Sequence, residues 1–252
     1  MPPPPFLIAI FLTACSLAYA QGVHEDFAFF NLDESLPMKT DSGWRQELPS
    51  DEREDLIGSA VVREGYDFNP YLSLTRRMTF VLYEQPDPLW THLDGPVNFY
   101  LDFRIVGKMP IDITLHNGRT TAGFKVIIRS AEKTIQIAEY AAESKADSQS
   151  KVFDLPNLEI GAWYTLEIRD INLSTSEEDR VESRLYLYEQ GEPARLLLDG
   201  VSIRSGGFRA FDRIGTLQVR RWGSDANRVG MKPSYLDIDN FILEGAEAPS
   251  GQ

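Results

Sequence analysis

Cysteine, histidine and positive charge are all scarce in this sequence of 252 residues. Cys15 is the only cysteine, so the chain can form neither a disulfide framework nor a thiolate metal site. The three histidines show no zinc-ligand spacing. Lysine and arginine number 25 against 38 aspartates and glutamates, which gives a formal net charge of −13. This charge argues against a nucleic-acid partner, which needs a basic face, and is compatible with binding divalent cations or neutral sugars.

Long helical patterns are lacking as well. Segments 51–55 and 141–150 are the best helix candidates, and both are interpreted as surface loops or single turns because they are polar. The dominant period is two residues, as in 97–106, where Phe99, Leu101 and Phe103 alternate with polar side chains. Similar runs occur at 79–83, 111–115, 123–129, 134–140, 163–171, 184–188, 194–198, 201–203, 216–221 and 235–243. Turn residues separate them at 117–118, 190–193, 199–200 and 206–207, and Asn117-Gly118 predicts a short hairpin. The pattern predicts an all-β fold, an antiparallel two-sheet β-sandwich with jelly-roll topology.

The first 20 residues differ from the rest of the chain. Residues 6–19 are apolar or small and uncharged, and Ala18-Tyr19-Ala20 fits a cleavage site, so 1–20 are predicted to be a signal peptide. The basic residues that usually precede such a stretch are absent. Residues 23–245 are predicted to form one β-sandwich domain, and 246–252 a disordered tail. We therefore expect a secreted, periplasmic or cell-surface protein.

A second reading of the leader remains open. Residues 12–15 (LTAC) resemble a bacterial lipobox, in which Cys15 is lipidated and becomes the new N-terminus. The protein would then be an outer-membrane lipoprotein that is attached to the membrane by acyl chains. In the simpler interpretation, Cys15 is only a small apolar residue of the signal peptide.

Three segments together carry a resemblance to a known superfamily. They are 24–30 (HEDFAFF) with 41–44 (DSGW) near the start, 161–168 (GAWYTLEI) in the middle, and 234–243 (SYLDIDNFIL) near the end. This layout resembles the concanavalin A-like jelly rolls, which include laminin-G-like domains, legume lectins, glucanases, polysaccharide lyases and related carbohydrate-binding modules. The resemblance implies that the first and last strands lie side by side.

Calcium is the cofactor that the resemblance implies, because many jelly-roll modules hold a structural Ca²⁺ where the terminal strands meet. Glu25, Asp26, Asp237 and Asp239 would then supply the hard oxygen ligands that Ca²⁺ prefers. The alternative interpretation is that these carboxylates are solvated strand ends.

Catalytic motifs are missing or broken, so no catalytic residue is predicted. The glucanases of this superfamily carry two or three acids on one strand face, but here Arg169 follows Glu167 at the position where a carboxylate is required. Asp237 and Asp239 share a face, but Phe241 and Leu243 are predicted to continue it. The lyases use a tyrosine and a histidine. Here His24 lies at the leader boundary, His92 lies in the loop 86–96, and His116 is interpreted as an exposed polar residue at a hairpin tip. A polysaccharide-degrading enzyme (a glycoside hydrolase or a polysaccharide lyase) remains an alternative, because distant strands can still assemble a site.

The non-core faces of the strands favour a non-catalytic carbohydrate-binding or adhesion-type domain. Aromatic rings stack on pyranose rings, and charged or amide side chains bind hydroxyl groups. The predicted ligand-binding residues are Tyr100, Asp102, Arg104, Tyr186, Tyr188, Gln218, Arg220 and Trp222. Arg104, Arg169 and Arg220 would favour an acidic polysaccharide or glycan. Trp44 and Trp163 are assigned to core or strand packing. A structural scaffold of the cell surface is the third functional class that the sequence leaves open.

Overall fold

The computed structural model describes residues 23–37, 43–47, 60–65, 69–75, 80–84, 90–91, 96–118, 123–139, 150–176, 183–191, 193–202, 212–221 and 234–245. Several predictions fall outside these ranges. They are the signal peptide at 1–20 with Cys15, the tail at 246–252, the loops at 51–55 and 141–149, and the residues His92 and Trp222.

Seventeen strands and no helix occupy the described residues. The strands are β1 Val23–Glu25, β2 Gly43–Glu47, β3 Ala60–Glu64, β4 Pro70–Leu74, β5 Phe80–Glu84, β6 Trp90–Thr91, β7 Val97–Val106, β8 Pro110–His116, β9 Gly123–Arg129, β10 Thr134–Glu139, β11 Ser150–Asp154, β12 Trp163–Ile171, β13 Arg184–Glu189, β14 Arg195–Ser202, β15 Arg213–Ile214, β16 Thr216–Arg221 and β17 Tyr235–Gly245. Within the part of the chain that the structure covers, nothing helical has the length and apolar character needed to cross a membrane.

Two antiparallel sheets form the sandwich. The eight-stranded sheet has the order β14-β13-β12-β7-β17-β4-β3, with β1 also paired to β17, and the seven-stranded sheet has the order β11-β10-β9-β8-β16-β5-β2. A separate two-stranded sheet joins β15 and β6. The first and last strands lie side by side, with Val23 opposite Leu243 and Glu25 opposite Phe241. The predicted all-β sandwich and the meeting of its terminal strands are both confirmed.

The core lies between the two large sheets and follows the predicted alternation. In β7, every second residue from Val97 to Ile105 is buried and the intervening side chains are partly exposed. Aromatic rings join the sheets: the centroid of Phe241 in β17 lies 5.0 Å from that of Tyr83 in β5 and 6.0 Å from that of Trp44 in β2. The assignment of Trp44 to the core is therefore confirmed, since only 3% of its surface is exposed.

A β-bulge in β17 corrects the predicted face of its acidic residues. Asn240 has a φ of 42°, and the pairing with β7 shifts register between Asp239 and Ile242. One extra residue reverses the alternation, because side chains change face at every residue of a strand. Phe241 therefore points into the core, and Asp239 does not share its face. The prediction that Phe241 and Leu243 continue the face of the acids is wrong.

Two turn assignments also need correction. Asp199-Gly200 does not separate two strands but lies within β14, where the pairing with β13 shifts register. A Cβ atom at Gly200 would lie 3.0 Å from the hydroxyl oxygen of Tyr186, so this close approach favours glycine. Asn117-Gly118 does follow a strand of the β8–β9 hairpin, but the connection runs from 117 to 122 and is longer than predicted.

His116 was predicted to be exposed at a hairpin tip, and this is wrong. It is the last residue of β8, and only 4% of its surface is exposed. Its Nδ1 accepts a hydrogen bond from the Gly118 amide at 3.1 Å. Burial lowers the pKa of His116 to about 4, so the ring stays neutral at physiological pH.

Candidate functional site

The outer face of the eight-stranded sheet brings together most of the predicted ligand-binding residues. Tyr100, Asp102 and Arg104 project from β7, away from the core. In β12, Glu167 lies opposite both Tyr100 of β7 and Tyr186 of β13. Tyr188 lies two residues farther along β13, on the same face. Five of the eight predicted residues therefore share one surface, because β7, β12 and β13 are neighbours.

The remaining predicted residues are not part of this surface. Gln218 and Arg220 lie on β16, in the middle of the seven-stranded sheet. Trp222 lies outside the described residues. Grouping Gln218 and Arg220 with Tyr100 was wrong, since alternation within a strand assigns a side chain to a face but does not say which sheet contains the strand.

A cleft of about 490 Å³ opens on this surface. We call it the outer cleft. Its lining combines two aromatic rings, one arginine, three carboxylates and three amides, from Glu64, Gly65, Asn69, Tyr71, Asp102, Arg104, Trp163, Gln190, Asp239 and Asn240. These residues come from β3, β4, β7, β12 and β17, from the chain next to β3 and β4, and from the end of β13, which Gln190 follows. The strand order places β3, β4, β17, β7 and β12 side by side, so the sheet itself assembles the cleft.

One wall of the outer cleft consists of Arg104 and two aromatic rings, which all contact one another. The guanidinium carbon of Arg104 lies 5.0 Å from the ring centroid of Trp163 and 5.4 Å from that of Tyr71. The two rings meet edge to face with their centroids 5.8 Å apart. Trp163 lies directly opposite Arg104 in the β7–β12 pairing, so the sheet register places these two side chains in contact.

Asp237 fixes the position of Arg104 from below. Its Oδ2 accepts a hydrogen bond from Arg104 Nε at 2.8 Å and forms an ion pair with Nη2 at 2.7 Å, and none of the surface of Asp237 is exposed. Burial raises the pKa of Asp237, while the hydrogen bond and charge of Arg104 oppose that shift. The guanidinium is therefore charge-compensated and pre-oriented, which makes the aromatic wall rigid.

A pair of carboxylates forms the floor of the outer cleft. Asp102 of β7 lies directly opposite Asp239 of β17. Asp102 accepts hydrogen bonds from Thr165 Oγ1 at 2.6 Å and from Asn240 Nδ2 at 2.9 Å. Asp239 accepts hydrogen bonds from the backbone N–H of Asn240 at 2.8 Å and from Asn69 Nδ2 at 2.9 Å. These four donors are neutral, so the hydrogen bonds orient both carboxylates without supplying a positive charge.

The environment of Asp239 shifts its ionisation strongly. Burial raises its pKa to about 7, the hydrogen bond from the Asn240 amide opposes the shift, and the nearby charges of Asp102 and Asp26 add to it. Only 7% of its surface is exposed. The outer cleft therefore contains a carboxyl group that changes its charge close to neutral pH.

A second cluster lies beside the cleft on the same sheet face. Glu167 is buried and binds Arg169 through two hydrogen bonds, from Nε at 2.5 Å and from Nη2 at 2.9 Å. The guanidinium of Arg169 lies 4.4 Å from the ring centroid of Tyr186, which stacks on Tyr188 with centroids 6.3 Å apart. Burial and the neighbouring Glu167 raise the pKa of Tyr100 to about 12. These side chains bind one another, as cross-strand pairs that stabilise a sheet do.

The sequence analysis missed most of the cleft lining. Trp163 was assigned to packing, but it is half-buried and lines the cleft. The two-residue alternation of β12 could have placed it correctly. Trp163 lies an even number of residues from Glu167 and Arg169 and so shares their face, whereas Tyr164 and Leu166 lie on the core face. Tyr71 and Glu64 lie in strands that were not predicted. Asn240 reaches the cleft only because of the bulge in β17, which no local sequence pattern predicted.

The predicted calcium ligands are only partly brought together. Asp26 lies close enough to Asp239 to influence its pKa, but its Oδ1 accepts a hydrogen bond from the Ala28 amide at 3.0 Å. Asp237 is occupied by Arg104. No group of three or more acidic, histidine or cysteine side chains suited to a metal occurs within the described ranges. The side chain of Glu25 is not among those the structure describes, so the calcium site stays a prediction.

Comparisons with known proteins support the fold. No protein-family model matches the sequence, and no curated protein matches it. Among solved structures, an immunostimulatory antigen and pseudo β-1,3-glucanase of Mycobacterium tuberculosis is 11% identical with a TM-score of 0.51, over 89% of this chain and 98% of that one. A marine alginate lyase from Aplysia kurodai is 8% identical with a TM-score of 0.50, over 75% and 87%. A carbohydrate-binding module from Bacillus subtilis is 9% identical with a TM-score of 0.45, over 81% and 96%. The first two of these structures share the fold of this chain with TM-scores of 0.50 or more, which supports the predicted β-sandwich.

Proposed function

We propose that this protein is a non-catalytic carbohydrate-binding domain and that the outer cleft is its binding site. The observation that carries the proposal is the wall of Trp163, Arg104 and Tyr71 above a floor of hydrogen-bonding carboxylates and amides. The cleft volume of about 490 Å³ lies within the range of roughly 300–1,000 Å³ that is typical of small-ligand sites. The comparisons add only the fold, which many glycan-binding and glycan-cleaving proteins share.

The chemistry of the lining suits a sugar. A pyranose ring has an apolar face that stacks on an indole, and Trp163 is half-buried at the cleft wall. The amides of Asn69, Gln190 and Asn240 can donate to and accept from hydroxyl groups around the ring. Pre-oriented polar groups reduce the entropy that binding costs.

The test is retention of the protein on immobilised polysaccharides, followed by titration with oligosaccharides of any polymer that retains it. Trp163→Ala should lose retention, because it removes the stacking ring. The matched control is Phe29→Ala, which removes a 95% exposed aromatic side chain outside the cleft. Retention that Trp163→Ala leaves unchanged would contradict the proposed site. Absence of retention on every polymer would favour the scaffold reading.

A polysaccharide-degrading enzyme is the second candidate, and one observation favours it. Asp102 and Asp239 lie directly opposite each other on the neighbouring strands β7 and β17, and burial raises the pKa of Asp239 to about 7. Glycoside hydrolysis uses two carboxyl groups of which one is held protonated. Release of reducing sugar from β-glucans or alginate, abolished by Asp239→Asn, would establish this function. Binding without product release would leave the non-catalytic proposal in place.

We further propose that the protein is exported. This rests on the apolar leader and on the small residues at Ala18 and Ala20. N-terminal sequencing of the mature protein tests it, since a chain that begins at Gln21 supports cleavage and free secretion. Mass spectrometry that finds an acylated Cys15 would instead support the lipoprotein and its attachment to a membrane. An uncleaved leader would contradict both.

A further inference from the structure

Two of the three arginines from which an acidic ligand was expected lie on the outer face and are ion-paired. Arg104 is paired with the buried Asp237, and Arg169 is paired with Glu167. Arg220, the third arginine from which an acidic ligand was expected, lies in the other sheet. A uronate carboxylate would meet guanidinium groups whose charge is already compensated. The expectation of an acidic glycan therefore loses its basis in the structure.

The lining of the outer cleft carries more negative than positive charge. Among the described residues that line it, Glu64, Asp102 and Asp239 are acidic, and Arg104 is the only basic one. Asp102 and Asp239 lie directly opposite each other on neighbouring strands. Opposed like charges on a sheet destabilise it unless something compensates them. Their hydrogen-bond donors are neutral, so a proton or a cationic ligand between the two carboxylates would compensate this repulsion.

The aromatic wall adds a second, independent preference for positive charge. The ring faces of Trp163 and Tyr71 attract cations, as their contacts with Arg104 demonstrate. The same rings provide the apolar surface on which a sugar ring can stack. A ligand that combines a pyranose ring with an ammonium group would therefore satisfy both the wall and the floor of the cleft.

We infer that the outer cleft selects amino sugars with a free amine, such as de-N-acetylated hexosamine oligomers, over uronates and over N-acetylated sugars. This inference rests on the proposed carbohydrate-binding function and specifies the ligand class. The ammonium group lies between Asp102 and Asp239 and compensates their charge, while the ring of the sugar stacks on Trp163. An acetylated nitrogen carries no charge, and a uronate adds a negative charge to an acidic cleft.

The closing experiment is titration of the full-length protein at pH 6.5 with glucosamine oligomers, N-acetylglucosamine oligomers, galacturonate oligomers and spermidine. We expect glucosamine oligomers to bind most tightly. Asp102→Asn and Asp239→Asn should each weaken that binding about tenfold or more, the loss of one charge-assisted hydrogen bond. The control is Glu132→Gln, which removes an exposed carboxylate in the β9–β10 turn and should leave affinity unchanged.

The outcomes separate this inference from the proposed function. Equal or tighter binding of the acetylated or uronate oligomers would overturn the amino-sugar inference and leave carbohydrate binding standing. Spermidine binding as tightly as the oligomers would overturn it as well, because the sugar ring would then contribute nothing. Absence of binding by any oligosaccharide would overturn the proposed function itself.

Discussion

Arg104 of β7 and Asp237 of β17 form an ion pair beneath the outer cleft, with Arg104 Nε and Nη2 lying 2.8 and 2.7 Å from Asp237 Oδ2. The two residues are direct partners in the antiparallel register of the two strands. Asp237 is completely buried, whereas 25% of the Arg104 side chain remains exposed. The pair therefore links the interior of the sheet to the aromatic wall, and we expect both stability and the proposed ligand binding to depend on it.

Asp237→Asn should destabilise the protein and weaken binding together. The substitution leaves the guanidinium of Arg104 without a counter-charge. Breaking a buried ion pair in this way costs about 3–5 kcal/mol of folding free energy, and we expect the lower end of that range because Arg104 is partly exposed. Urea unfolding measures the loss. The double variant Arg104→Met with Asp237→Leu should recover much of the stability but not the binding, because the apolar pair needs no counter-charge. A single variant as stable as the parent would show that the pair is not structurally important.

Asp239 should make the protein less stable as the pH rises towards neutral. Its pKa is about 7 in the folded state against an ordinary value of 3.8, so the folded state holds the proton more tightly. Its contribution to stability is complete below pH 3.8 and is lost as the pH rises through about 7. Denaturant unfolding between pH 4 and 8 should show a smaller decline in Asp239→Asn than in the parent. If the free energy of unfolding changes with pH in the same way for the two proteins, the raised pKa of Asp239 would be contradicted.

His116 should have the opposite dependence on pH. Burial lowers its pKa from 6.5 to about 4, so the unfolded chain takes up a proton that the folded state excludes. The contribution of His116 is present above pH 6.5 and is lost as the pH falls through about 4. His116→Gln should remove this part of the acid sensitivity in thermal melts. An acid sensitivity that His116→Gln leaves unchanged would contradict the lowered pKa of His116.

The predicted calcium site can be tested by measuring the thermal stability of the protein. If Ca²⁺ joins β1 to β17 through Glu25, Asp26 and Asp239, a chelator should lower the melting temperature and added Ca²⁺ should restore it. Mg²⁺ at the same concentration is the control, since it needs a smaller octahedral site. An unchanged melting temperature in chelator would contradict the predicted calcium site.

The outer cleft was predictable only in part. Alternation placed Tyr100, Asp102 and Arg104 on the outer face correctly, because a strand with one buried side has a fixed two-residue period. The same rule applied to Trp163 would have placed it beside them, but its size favoured a core assignment. Two bulge residues with positive φ, Asp170 and Asn240, changed the faces of β12 and β17 without any local signal.

The sequence by itself determined the two-residue period, the acidic charge, the presence of a single cysteine and the motif layout of the jelly roll. These properties are local or additive, so one chain is enough to establish them. Only the tertiary structure decided that β17 lies between β7 and β4, which brings Asp239 opposite Asp102 and Asp237 against Arg104. Strand order and register are non-local, because they depend on which buried faces of distant segments pack together. For this reason the sheets were predictable from the sequence, whereas the site on the outer face was predictable only in part.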